Sequence, residues 1–238
     1  MKPTLSYTES EMFVVLRRIL MAWLPSDVSV VKSQINRVPE PPGTDFVLMT
    51  PIMRTRLETN TDRYQDVSFT GSIAGTILTA SGTTGGTIIT GATLFSESVV
   101  DDTIILGYVT GSGGDGTYSV SVPQSAGPVT MYAGLKSALQ PTKVDIQLDV
   151  HGPNSADNTQ IISTLFRDGY ATRAFATDPA GLDLQALYAD EPKQLPFVNG
   201  ESQFEDRWVM TLCLQANQLV YVSQQFFDEV DVGLVEVV

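Results

Sequence analysis

The sequence predicts an α+β fold, a mixed sheet with two main helices, that carries a small all-β domain inserted in its middle. Three observations predict it. An amphipathic helix lies near the start, strands of period two flank the middle of the chain, and no Lys or Arg occurs between Arg63 and Lys136. The expected extents are residues 1–65 and 133–238 for a discontinuous α+β domain and 66–132 for the insert.

Thr8-Glu9-Ser10-Glu11 has the form of a capping box, in which a Thr hydroxyl and a Glu carboxylate satisfy free amides of a helix start. Met12, Leu16, Ile19, Leu20 and Trp23 then recur at helical spacing, with Arg17 and Arg18 off the stripe, and Pro25 stops the pattern. A helix is expected over 9–24. Val28 and Val30 alternate with polar positions in a short strand over 28–34, and Pro39, Pro41, Pro42 and Gly43 make a loop. Phe46 to Leu57 reads as a strand with Pro51 at a bulge or an edge.

Between Tyr64 and Leu135 short β-prone runs rich in Thr, Val and Ile alternate with glycines, the pattern of antiparallel hairpins, with Ala74-Gly75 as a hairpin tip. Beyond Pro141, Val144, Ile146, Leu148 and Val150 share one face of a half-buried strand. His151-Gly152-Pro153-Asn154 is a turn, and Asn154 or Ser155 can cap a helix whose apolar face (Ile161, Ile162, Leu165, Phe166) continues to about Ala174. Residues 178–204 read as loop. Trp208, Met210, Leu212 and Leu214 face one way on a strand from Arg207, and Val230 to Val238 reads as a last strand.

Composition narrows the function. Charged residues are 17% of the chain against a typical figure of about 25%, which fits a surface partly covered by neighbours and equally a monomer rich in uncharged Ser, Thr and Gly. The net charge of −13 and the lack of a basic run disfavour binding to DNA phosphates or to an anionic membrane. An acidic wall that DNA slides past remains compatible with that charge. Cys213 is the one cysteine, so no disulfide forms within the chain, which points to folding in a reducing compartment or to a scaffold that needs no staples. No run reaches the roughly 18 apolar residues of a membrane span, and the first residues lack a signal-peptide pattern.

The chemistry of an enzyme is hard to assemble from this chain. His151 is the one histidine, and no G-x-S-x-G elbow accompanies it. One His and one Cys fall short of a zinc ligand set. Asp145, Asp149 and Asp157 read as a solvated strand face rather than a cation site, and the acids at 228, 229, 231 and 236 as solvated surface. Gly111-Ser-Gly-Gly-Asp-Gly116 lacks the Lys and Ser/Thr of a phosphate loop. No catalytic, cofactor-binding or metal-binding residue is assigned.

Several stretches, in order, resemble the neck-terminator family of tailed bacteriophages. They are Gln34-Ile-Asn-Arg-Val-Pro39, Phe46-Val-Leu-Met-Thr-Pro51, Asp145-Ile-Gln-Leu-Asp-Val-His-Gly152, Ser155-Ala-Asp-Asn158 and Phe166-Arg-Asp-Gly-Tyr170. The most specific is Leu187-Tyr-Ala-Asp-Glu-Pro-Lys-Gln-Leu-Pro-Phe-Val-Asn-Gly-Glu201, leading into Gln203-Phe-Glu-Asp-Arg-Trp208 and Gln215-Ala-Asn217. The Gly/Thr-rich insert is similar to a β-repeat module that decorates phage structural proteins. The resemblance implies a structural virion protein without enzymatic activity. It implies a ring of copies, six by family pattern, between head-side connector proteins and the tail tube (and the sheath in a contractile tail). Such a ring terminates the tube, leaves a channel for genomic DNA, and is assembled in the host cytoplasm.

A ring subunit has an interface. Arg207 beside Trp208 is one candidate, the alternative being an arginine snorkelling at a sheet surface. Leu234, Val235 and Val237 are the others, apolar residues expected to dock on the core or on a neighbour. A competing reading makes the insert a virion decoration or a host-glycan-binding module. A third, weaker one is a hydrolase.

Overall fold

The computed structural model describes residues 3–33, 45–195, 197–198 and 204–224. The expected loop at 39–43, the expected last strand and the candidates Leu234, Val235 and Val237 lie outside these residues. Along the chain run β1 (Thr4–Leu5), α1 (Glu9–Trp23), β2 (Ser29–Lys32), β3 (Phe46–Arg56), β4 (Thr61–Thr84), β5 (Thr93–Phe95) and β6 (Ile105–Thr110). Then come β7 (Gly116–Leu139), β8 (Thr142–His151), α2 (Ser155–Phe166), α3 (Gly169–Ala176), β9 (Leu184–Ala189) and β10 (Lys193–Gln194). The last are β11 (Phe197–Val198), β12 (Phe204–Glu205), β13 (Arg207–Ala216) and β14 (Leu219–Ser223). Strand outweighs helix, and the chain forms two compact units. Of the described residues, one comprises 6–33, 45–60, 139–195, 197–198 and 204–219, the other 3–5, 61–138 and 220–224.

In the first unit the strands lie in the order β10, β13, β8, β3, β2, with β9 also beside β13. The sheet is mixed, because β2 runs parallel to β3 while the other pairs are antiparallel. Three helices among the described residues pack on one face. The capping box forms as expected: Thr8 Oγ1 accepts from Glu11 N at 3.3 Å, and Glu11 Oε2 accepts from Thr8 N at 2.6 Å. Met12, Leu16, Ile19 and Leu20 of α1 are buried against Val47, Met49, Ile146, Leu148, Leu212 and Leu214. Pro51 stands at a bulge, since the register between β3 and β8 shifts between Pro51 and Met53.

Two local readings need correction. The helix expected to run from Asn154 to about Ala174 is two helices. Asp168 adopts an extended backbone and accepts from Tyr170 N at 2.8 Å, which caps α3 and so breaks the run. Asn154 stands at the cap of α2, but its side chain makes no cap bond there. It donates instead to Asp45 Oδ2 at 2.9 Å. The stretch expected as loop also contains β9, whose Leu184 and Ala189 are buried alongside β13.

In the second unit the order is β1, β14, β7, β4, with β5 and β6 beside β7. The sheet thus takes in short strands from outside 66–132. β4 doubles back at Gly75, which has φ +64°. On either side of that turn Ser81 Oγ donates to Thr70 O and Thr84 Oγ1 to Ser68 O, each at 3.4 Å. Only a residue without Cβ takes this left-handed backbone at little cost. The core gathers Val67, Phe69, Leu78, Ile88, Ile105, Tyr118 and Met131.

Candidate functional site on the polar face of the mixed sheet

Helices cover one face of the mixed sheet. The opposite face is read directly from strand register, because side chains alternate along each strand. One row across it is Phe46, His151, Arg207. The next rows are Leu48, Asp149, Val209, then Thr50, Gln147, Thr211, then Met53, Asp145, Cys213, Tyr188. Among soluble sheets a face so rich in polar groups is ordinarily wet. Here Asp145 and Asp149 are only 6% and 5% exposed. The expected solvated strand face is therefore corrected: both carboxylates are buried and paired. Asp157 does not join them, being exposed in the first turn of α2.

Asp149 is the better-served acid. Gln147 Nε2 donates to its two oxygens at 3.1 and 2.9 Å, and Arg207 Nε donates to Oδ1 at 2.9 Å, with Arg207 Nη2 closing a second contact. His151 stacks on Phe46, ring centroids 4.6 Å apart and planes 7° from parallel. Its Nδ1 lies 3.3 Å from Glu205 Oε1. Burial pushes the imidazole below its ordinary pKa, against the pull of the Glu205 carboxylate.

At the other end of the face, Lys143 Nζ lies 3.1 Å from Asp145 Oδ2 and donates to Tyr188 OH at 3.3 Å. The bond to Asp145 holds the Lys143 ammonium above its ordinary range. Burial pushes the Cys213 thiol up to about 11. The sole thiol and the sole imidazole of the chain do not meet. Cys213 pairs with Asp145, six residues along β8 from His151, a separation of roughly 20 Å at strand rise. No Cys–His couple can form on this sheet. Among the described residues, no group of three or more His, Cys, Asp or Glu is placed to hold a metal ion.

Of the two candidate residues that are described, Arg207 points to this face and Trp208 to the other. Trp208 aligns with Val150 and packs, half-buried, on the helix-side core. Adjacent positions on a strand cannot share a face, so the two do not form one patch. Sequence reasoning missed the partners Asp149 and Glu205. Their pairing depends on register between strands about 58 residues apart in the chain, for which a single sequence carries no local signal.

No curated protein matches the chain significantly. The family profile of phage neck terminator proteins matches residues 108–237, from β6 through the whole carboxy-terminal half of the mixed sheet. Several stretches that resemble this family, from Asp145 to Asn217, fall inside the match, and those before Pro51 fall outside it. That family is a structural one of the phage neck, which places its members in the virion. None of the helices among the described residues is long and apolar enough to cross a membrane. With more than half of its 238 residues matched, the chain belongs to the phage neck terminator protein family.

Proposed function

We propose that copies of this chain close into a ring, six-membered by family resemblance, that ends the tail tube and joins it to head-side connector proteins. Tail-tube proteins (and sheath proteins in a contractile tail) are its partners on the other side, and genomic DNA passes through its lumen. The role is structural, with no catalytic step and no cofactor. The observation that carries this reading, beside the family, is an unfinished sheet. β2 pairs only with Phe46 to Met49 of β3. Beyond it Ile52 and Met53 are each 53% exposed on a strand with no described neighbour on that side. Apolar residues on an open edge are a liability in a monomer and are covered in a closed ring.

A net charge of −13 per copy, repeated around a ring, keeps the lumen acidic and lets DNA slide without sticking. Arg207, Trp208, Leu234, Val235 and Val237 remain proposed interface residues, with the Arg207 side chain 25% exposed. Electron microscopy of the purified chain tests the reading. Closed rings are expected; a monodisperse monomer at high protein concentration, or a lumen lined mainly by Lys and Arg, would overturn it.

A second reading has its own observation. Leu106, Tyr108 and Val109 of β6 are 56%, 48% and 54% exposed, an apolar edge suited to contact outside the neck, whether as decoration or as glycan recognition. Replacing all three by Ser separates the cases. Lost adsorption with intact particles supports the second reading, and unjoined heads and tails support a role at the junction.

A further inference from the structure

Helices α1 and α3 enclose a cleft of about 350 Å³, lined among others by Trp23, Tyr170, Arg18, Arg173 and Asp178. Its walls combine aromatic surface with positive charge. Trp23 and Tyr170 stand with ring centroids 6.0 Å apart, and Tyr170 is 50% exposed. Arg18 is spoken for: its Nη1 reaches both oxygens of the buried Asp178, at 2.7 and 2.5 Å. Arg173 is not. It stands exposed in the last turn of α3 with no acid within ion-pair distance among the described residues. In a chain with 27 acids to 14 Lys and Arg, Arg173 offers an unneutralised positive charge beside open aromatic rings. Arginine and aromatic side chains are also the types that anchor protein interfaces.

The chain itself carries a segment of the complementary kind. Phe226-Phe-Asp-Glu-Val-Asp-Val-Gly-Leu-Val-Glu-Val-Val238 has two Phe, a Leu and five Val, four acids and no basic residue. We propose that the α1–α3 cleft receives this acidic, apolar run from a second copy of the chain. An apolar side chain of the run enters between Trp23 and Tyr170, and a carboxylate meets Arg173. The proposal rests on the ring reading only in requiring a neighbouring copy.

Two measurements test it on the full-length chain. In the first, a fluorescent synthetic peptide of residues 225–238 is titrated onto the wild type, Arg173→Glu and Tyr170→Ser, and anisotropy is read. Both changes are at exposed positions, and unchanged melting temperatures confirm the fold. Saturable binding is expected, weakened about tenfold or more by Arg173→Glu, and weakening as salt rises. Absence of saturation up to about 1 mM, or equal affinity for wild type and Arg173→Glu, overturns the proposal.

In the second, sedimentation velocity compares wild type, Arg173→Glu, and a chain with Asp228→Asn, Glu229→Gln, Asp231→Asn and Glu236→Gln. Each variant alone is expected to associate less than wild type, and an equal mixture to recover a complex. The mixture restores one intact cleft and one intact run. Recovery supports docking between copies; failure to recover, with the single variants impaired, means the contact is not between copies and overturns it. Rings that persist in Arg173→Glu would sink this inference and leave the ring reading standing. Peptide binding by a chain that forms no rings would do the reverse.

Discussion

Arg207 leans diagonally across the β8–β13 ladder onto Asp149, two residues from its register partner His151, and its Nε lies 2.9 Å from Oδ1. The two side chains are unequally buried, 25% exposed for Arg207 and 7% for Asp149. Removing either partner therefore strands a different group. Among the described residues Arg207→Ala leaves a buried carboxylate with Gln147 as its side-chain donor, while Asp149→Ala leaves a guanidinium that can reach water. Arg207→Ala is expected to cost about 3 kcal/mol and Asp149→Ala about 2 kcal/mol. Thermal or urea unfolding of both variants checks the order. The reverse order would show that Asp149 is better solvated than its burial indicates. The same measurement tells a folding defect from a ring defect in any assembly assay of Arg207→Ala.

His151 makes stability depend on pH in a known direction. Its pKa in the folded chain lies below the ordinary 6.5, chiefly through burial. The unfolded chain therefore takes up the proton first as pH falls. Stability is complete above about 6.5 and declines as pH drops from there toward the folded value. Glu205 limits the decline, because it favours the imidazolium once that forms. Melting curves between pH 7.5 and pH 5 are expected to fall through this window, and the His151→Gln variant to fall less steeply. A wild type as stable at pH 5.5 as at pH 7.5 would contradict the assignment.

Cys213 is expected to be inert in the folded chain. It is 2% exposed, and its thiol is pushed up to about 11, so at pH 8 only about one part in a thousand is thiolate. An aromatic disulfide reagent at pH 8 is expected to leave the native thiol unmodified over the time in which denatured protein reacts completely. Reaction at the same rate in both states would show that this end of the sheet opens freely.

Two glycine substitutions are expected to act in opposite directions. A Cβ on Gly127 would lie 2.3 Å from the carbonyl oxygen of Gly71, with φ at +83°. Gly127→Ala is expected to cost about 3 kcal/mol or more, since backbone must move. At Gly169, the first residue of α3, nothing lies within 4 Å of an added Cβ. Gly169→Ala is expected to gain about 0.5–1 kcal/mol by stiffening the unfolded chain. Calorimetry of the two variants checks both signs.

Tyr7 offers a test in the first unit. Its hydroxyl donates to Asp183 O at 2.7 Å, and burial pushes its pKa up to about 12. Tyr7→Phe leaves that carbonyl without the phenol and is expected to cost about 1 kcal/mol. Denaturant unfolding reads it; no loss would mean water replaces the hydroxyl.

Much of the local structure could be read in advance for plain physical reasons. The α1 stripe and its capping box are local patterns, complete within sixteen residues, and both appear as expected. The period-two runs of β8 and β13 announced which residues face the core, because alternation on a strand is itself the face assignment. The break at Asp168 was harder, since Ile161 to Ala174 keeps a helical apolar pattern across it. One side-chain cap outweighed that pattern.

The sequence by itself determined the starts of α1 and α2, the strand faces, the acidic balance and the resemblance to a neck family. All of these are local or compositional properties, written in neighbours along the chain. Only the tertiary structure decided that the polar face of β8 is buried, that Arg207 and Trp208 leave β13 on opposite sides, and that α1 and α3 meet around a cleft. These depend on strand register and helix packing between segments far apart in sequence. Such long-range contacts are chosen by the free energy of the whole fold and leave no mark on any short stretch of it.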